Sequence, residues 1–180
     1  RPAPVAPIPP RLVLTGSEST GKTTLARALA ERFGVAWVPE FARDYATARA
    51  GQLTPADIEP IARGQQAAED AAAMIHPGCV VLDTDLLSTW IYAHHYYQAV
   101  PGWLERELPQ RIRGCYLLCD IDLPWVPDPA RDRGDRREEM HAAFVQELER
   151  RSVKYAIVRG TGEARLQSAL AAAERLDPTG

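Results

Sequence analysis

Gly16-Ser17-Glu18-Ser19-Thr20-Gly21-Lys22-Thr23 is the stretch that decides the fold of this 180-residue chain. It fits the pattern G-x-x-x-x-G-K-[ST] at every fixed position. The apolar run Leu12-Val13-Leu14-Thr15 precedes it and a helix-forming run over 24–32 follows. Strand, glycine-rich loop and helix in that order form the context in which this pattern cradles the phosphates of a nucleoside triphosphate. Gly16 and Gly21 permit backbone conformations closed to other residues. Successive backbone N–H groups can then point into one concavity at the positive end of a helix dipole. Lys22 is placed to reach the β/γ-phosphate oxygens as a point charge. The Thr23 hydroxyl is placed to ligate Mg²⁺. Glu18, Ser19, Thr20 and Thr24 complete the expected ATP-binding set. The competing reading is a glycine turn that merely caps a helix, and it leaves the lysine and threonine without a reason.

Outward from this loop, apolar runs predict strands over 11–15, 35–38, 79–83, 115–119 and 155–158. Helical patterns lie between them, over 24–33, 40–51, 54–75, 85–98, 101–110, 138–151 and 163–176. Gly34 is a natural helix stop, and Thr54 with Pro55 a natural start. Strands alternating with helices predict an α/β fold: a three-layer α/β/α phosphate-loop NTPase with a five-stranded parallel sheet. Residues 11–176 form the domain. Residues 1–10, half of them proline, read as an extended tail or linker, and 177–180 as a short tail. The chain does not begin with Met, which suggests a processed start, a boundary, or a domain cut from a longer protein.

Composition narrows the classes of function. The net charge is −3, so no global basic surplus argues for nucleic acid. No apolar run approaches the ~20 residues of a membrane span, and no signal-peptide pattern is present. Cys79, Cys115 and Cys119 sit in or beside apolar runs. They read as reduced, buried thiols and so point to the cytoplasm. Cys115 and Cys119 would share one face of a strand, but no second ligand pair stands near them to make a metal site.

Ligands of parallel α/β sheets bind at the carboxyl ends of the strands. Asp83-Thr84-Asp85 follows the third strand. One carboxylate there can hold Mg²⁺ and another can accept a substrate proton, while Asp85 could equally cap the next helix. Glu40, Arg43, Asp44 and Tyr45 follow the second strand and are candidate substrate residues; a surface salt-bridge set is the bland alternative. After the fourth strand, Arg131, Arg133, Arg136 and Arg137 crowd a polar stretch that can form a lid over the triphosphate. Solvated charge is the alternative there. Gly160 and Thr161 follow the fifth strand on the nucleotide side. Trp90, Tyr92, Tyr96 and Tyr97 cluster on one helix as core or groove packing, with one of them a candidate to face substrate. The four histidines form no ligand set and read as structural or surface residues.

The ordered blocks G-S-E-S-T-G-K-T-T-L, P-E-F-A-R-D-Y, D-T-D, D-I-D-L-P-W-V-P-D-P-A-R and Y-A-I-V-R-G stand between residues 16 and 160 of the domain over 11–176. Together they resemble the ribosylnicotinamide kinase domain of the bifunctional NAD-salvage proteins and their stand-alone relatives. The resemblance implies ATP and Mg²⁺ as cofactors. It implies nicotinamide riboside as the acceptor, phosphorylated at its 5′-hydroxyl. By motif it carries phosphate and Mg²⁺ binding onto Lys22 and Thr23, and Mg²⁺ and sugar hydroxyls onto Asp83 and Asp85. Glu40 and Arg43 would line the substrate site, and Arg131 and Arg136 would come from the lid. Larger relatives carry a fused adenylyltransferase domain. The chain departs from the family at Pro39 and near Ala68, where aromatics usually stack on nicotinamide. Trp37, Phe41, Tyr45 and Trp125 are the candidate replacements.

Overall fold

The computed structural model describes residues 11–76, 78–124 and 136–176. Five strands, β1 (Arg11–Thr15), β2 (Ala36–Val38), β3 (Val80–Asp83), β4 (Cys115–Cys119) and β5 (Tyr155–Val158), pair in the order β2-β3-β1-β4-β5, and every pairing is parallel. Burial follows position in the sheet. The three inner strands are buried along their whole length, whereas β2 and β5, at the edges, are partly open. Continuous apolar runs suit strands covered on both faces.

Seven helices supply that cover: α1 (Lys22–Phe33), α2 (Phe41–Ala48), α3 (Ile58–Ile75), α4 (Leu86–Tyr97), α5 (Gly102–Arg111), α6 (Arg137–Arg150) and α7 (Gly162–Leu176). Alternation along the strands sorts the core into two layers. Leu12, Leu14, Val81, Leu117 and Val158 face α1 and α7. Val13, Leu82, Tyr116 and Leu118 face the layer that holds α3, α4, α5 and α6. Gly34 ends α1 in the left-handed conformation, as expected. The start expected at Thr54 is present: Thr54 caps and Pro55 opens a short 3-10 turn, Pro55–Asp57, that runs directly into α3. Asp57 tightens it by accepting from the Thr54 N–H (2.7 Å), the Thr54 hydroxyl (3.1 Å) and the Tyr45 phenol (2.8 Å).

Arg11, the first residue of β1, is 6% exposed. Its guanidinium donates to the carbonyls of Arg111 (2.9 Å) and Arg113 (3.0 Å) and to Glu69 on α3, and it lies 3.6 Å from Asp85. Burial alone would lower its pKa, but Asp85 and Glu69 outweigh that and raise it. The network ties the first residue of β1 to α3, to the cap of α4 and to the end of α5. Removing one partner of a buried ion pair strands the other charge. Arg11→Met is therefore expected to cost about 3–5 kcal/mol of stability, read as a lowered urea midpoint at unchanged slope. Retention of the wild-type midpoint would show the network to be idle.

Candidate active site

The phosphate loop joins β1 to α1 at the centre of the sheet, where the strand order reverses direction. Gly16 has φ 131° and stands so close to β4 that an added Cβ would lie 2.9 Å from the Cys119 carbonyl oxygen. Gly21, at φ 75°, caps α1. Lys22 is 5% exposed; its Nζ donates to the Ser17 carbonyl (2.6 Å) and lies 3.4 Å from Thr20 Oγ1. Thr20 Oγ1 also donates to the Ser17 carbonyl (2.9 Å). The loop thus curls around its own ammonium group. Beneath it, the Thr15 and Ser17 hydroxyls are buried without a hydrogen-bond partner. Ser19 takes a positive φ of 54°, and Thr24 points outward, exposed.

Asp83, 1% exposed, accepts from Thr23 Oγ1 at 2.6 Å through one oxygen. Its other oxygen is buried with no partner. Burial pushes this carboxyl above its ordinary range, opposed by the Thr23 hydrogen bond and by the charges of Lys22 and Arg43. A hydroxyl and an orphaned carboxylate oxygen beside the loop fit Mg²⁺, which takes one or two protein oxygens and completes its shell with phosphate and water. Among the described residues no group of three or more His, Cys, Asp or Glu could hold a metal unaided.

Asp85 departs from the metal- and substrate-facing role expected of it. Thr84 adopts φ 64°, and its N–H bonds to the Leu14 carbonyl at 2.9 Å. Past that turn, Asp85 points into the sheet instead of the cleft. One of its oxygens accepts from the Leu87 N–H (3.1 Å) and caps α4; the other accepts from the buried phenol of Tyr116 beside Arg11. At 1% exposure it is structural. Of the two readings open in the sequence, helix capping is the one the geometry supplies.

The open space beside the loop is a cleft of about 430 Å³. Glu18 and Thr84 line its phosphate end. Glu40 and Arg43 come from the entry and first turn of α2, Gln65 from α3, and Ser88, Tyr92, Tyr96 and Tyr97 from α4. Gln65 was invisible in its Ala-rich stretch. It is 2% exposed and caps α2 from outside, accepting from the Phe41 N–H at 3.0 Å. Tyr92 and Tyr96 stack at 5.8 Å, and the Tyr92 hydroxyl is buried without a partner. Among the described residues, Tyr92, Tyr96 and Tyr97 are the aromatics that line the cleft. Trp37 packs in the opposite layer, 5.9 Å from the Arg27 guanidinium. Phe41 lies against Gly64, and Tyr45 is engaged by Asp57 and Arg49. Asp44 is exposed.

Arg136 stands behind the cleft. It pairs with Glu139 (2.9 Å) and lies 5.1 Å from the Tyr96 ring centroid, while His95 binds Glu139 from the other side (2.6 Å). Arg131, Trp125 and most of the expected lid fall outside the described residues. On the nucleotide side, the Gly160 N–H donates to Asp122 (2.7 Å) while Thr161 is exposed. Arg165, which the sequence reading missed, braces this region. It donates to the Thr20 carbonyl of the loop (2.8 Å), to the Asp120 carbonyl (2.9 Å), to Asp122 (2.7 Å) and to the Gly160 carbonyl (2.9 Å). A signal existed: Arg165 shares a helical face with the buried Ala169, Ala172 and Ala173.

The two aspartates should part under mutation. Asp83→Asn is expected to slow nucleotide turnover about 10²–10³-fold with little loss of stability. Asp85→Asn is expected to cost about 1–3 kcal/mol of stability while leaving nucleotide affinity unchanged. Calorimetric titration with a non-hydrolysable ATP analogue, alongside urea unfolding, separates these outcomes.

Known proteins match this arrangement. Residues 11–165 match a family model described as an AAA domain. The trifunctional NAD biosynthesis/regulator protein NadR of Escherichia coli (strain K12) is 27% identical over 150 residues, which are 80% of this chain and 37% of that protein. The chain thus spans well under half the length of that relative. A NadR protein solved in complex with NR superposes with TM-score 0.73 at 24% identity, over 93% of this chain and 50% of that one. A NadR protein in complex with NAD and AMP-PNP gives TM-score 0.72 at 26% identity, over 92% and 49%. With the loop, its strand and its helix all inside the matched span, the chain belongs to this AAA-domain family of phosphate-loop proteins.

Proposed function

We propose that the protein is a small-molecule kinase that transfers the γ-phosphoryl group of ATP to the 5′-hydroxyl of a nucleoside, nicotinamide riboside above all. The observation that carries this reading is the cleft of about 430 Å³ opening directly onto the phosphate loop at Glu18 and Thr84. A hydrolytic switch has no need of such a space, whereas an acceptor of nucleoside size does. Its lining also favours a cation: Glu18 and Glu40 face one guanidinium, Arg43, beside three tyrosines. Nicotinamide riboside carries a positive pyridinium ring, which suits carboxylates and aromatic faces. The likeness to NadR proteins, one of them solved with NR, supports the same acceptor.

In this reading the loop amides and Lys22 hold the β- and γ-phosphates. Thr23 and Asp83 hold Mg²⁺, whose charge offsets that of the triphosphate. Arg43, near enough to Asp83 to influence its ionisation, adds positive charge where the two halves of the site meet. The enzyme's work in phosphoryl transfer is positioning and charge neutralisation, and the described groups are of the kinds required.

Incubation with ATP, Mg²⁺ and a nucleoside panel should yield ADP and nicotinamide mononucleotide in equal amounts. Lys22→Ala should remove this activity together with ATP-analogue affinity. ATP hydrolysis indifferent to every nucleoside would refute the kinase reading.

A further inference from the structure

Asp85 cannot receive the proton of an acceptor hydroxyl, because both its oxygens are committed inside the sheet. Asp83 lies with Thr23 on the α1 side of β3 and does not line the acceptor cleft. Among the described residues, the carboxylates that do line the cleft are Glu18 and Glu40. Resting on the kinase reading above, we infer that Glu18, a residue of the phosphate loop itself, is the catalytic carboxylate that orients and deprotonates the acceptor hydroxyl.

The argument is one of placement. Glu18 follows Gly16 by two residues, so its backbone belongs to the cradle that holds the γ-phosphate. Its side chain and the transferred group are therefore linked by one short segment. That segment is fixed below by the Lys22 and Thr20 bonds to the Ser17 carbonyl, and from the far side by Arg165 on the Thr20 carbonyl. Glu18 is 8% exposed, so bulk water has little access to it. Tyr92, whose buried hydroxyl has no hydrogen-bond partner, is close enough to feel the Glu18 charge; burial first, and that charge second, keep its phenol protonated. The pair offers an acceptor and a donor at one end of the cleft, which is what a hydroxyl nucleophile needs.

Glu40 sits on another wall, at the entry to α2. Gln65 supplies the helix cap there, and Arg43 stands one turn on. That environment suits binding of the rest of the acceptor. In the transfer step the acceptor oxygen forms its bond to the γ-phosphorus. The bond from that phosphorus to the β,γ-bridging oxygen breaks, and its electron pair leaves on the nucleoside diphosphate. The hydroxyl proton passes to the Glu18 carboxylate.

The test compares wild type, Glu18→Gln and Glu40→Gln with ATP, Mg²⁺ and nicotinamide riboside. Glu18→Gln keeps the size of the side chain and removes the base. Its kcat should fall about 10²–10⁴-fold and lose the acidic limb of its pH profile. Calorimetric affinity for a non-hydrolysable ATP analogue should fall far less than kcat. Glu40→Gln should chiefly raise KM for the nucleoside. Three results would overturn the assignment: undiminished kcat in Glu18→Gln, loss of analogue affinity in step with kcat, or the kcat loss appearing in Glu40→Gln instead. If wild type turns over no nucleoside at all, the kinase reading falls and takes this assignment with it. Turnover by wild type with an unaffected Glu18→Gln removes the assignment alone.

Discussion

The left-handed turn at Thr84 is the constraint on which the site depends. A β-branched residue at φ 64° is costly and persists where its surroundings fix it. Here the Thr84 N–H is held by the Leu14 carbonyl, so the turn is pinned to the central strand. Its effect is to send two neighbouring carboxylates to different places. Asp83 goes to Thr23 and the phosphate loop, and Asp85 goes to Tyr116 and Arg11. One of them stands with the phosphate loop and the other with the scaffold. Without that split, two like charges would share one pocket, and each would resist ionisation in the other's presence.

The nucleotide half of the site was legible because its chemistry is local. Phosphate binding by backbone amides needs consecutive residues, so the loop, Lys22 and Thr23 lie in one readable stretch. Asp83 was legible from its position at the end of a fully buried strand. Asp85 was legible in part: its cap on α4 is local and was one of the two readings, whereas Tyr116 and Arg11 stand 31 and 74 positions away and only the folded sheet brings them to it. The same holds for Gln65, whose role is set by a helix end belonging to α2. Arg165 differs, since a charged residue on an otherwise apolar helical face is a signal in sequence. The aromatics of the cleft were half legible: the cluster on α4 was read as packing with one member facing substrate, and Tyr92, Tyr96 and Tyr97 all line the cleft.

Burial across the sheet explains why strands were easier to read than helix entries. The inner strands, covered on both faces, are apolar over most of their length, and β1 and β4 run where the sequence placed them, as does the edge strand β5. Helix entries answer to capping partners that can come from elsewhere. At the entry to α3 the Thr54 cap and Pro55 are local and were read, whereas the bond from the Tyr45 phenol of α2 to Asp57 comes from elsewhere.

The acceptor cleft has a wall whose support lies far from any ligand. Ser88, Tyr92 and Tyr96 recur at four-residue intervals and so share one face of α4, the face that lines the cleft. The position of α4 is set at its amino end by the Asp85 cap. Asp85 is in turn held by Tyr116 from β4 and by Arg11, whose backbone stands at the opposite end of β1. Arg11 reaches Glu69 on α3 as well, the helix that carries Gln65 one turn earlier. Two walls of the cleft, α3 and α4, are thus referred to a single guanidinium beneath the sheet. A buried charge cluster of this kind contributes little net stability compared with apolar packing, but it admits one geometry. For the proposed phosphoryl transfer that is the useful property, because the rate would depend on where an acceptor oxygen stands relative to phosphorus. In that reading the residues that set this distance include some that touch neither partner.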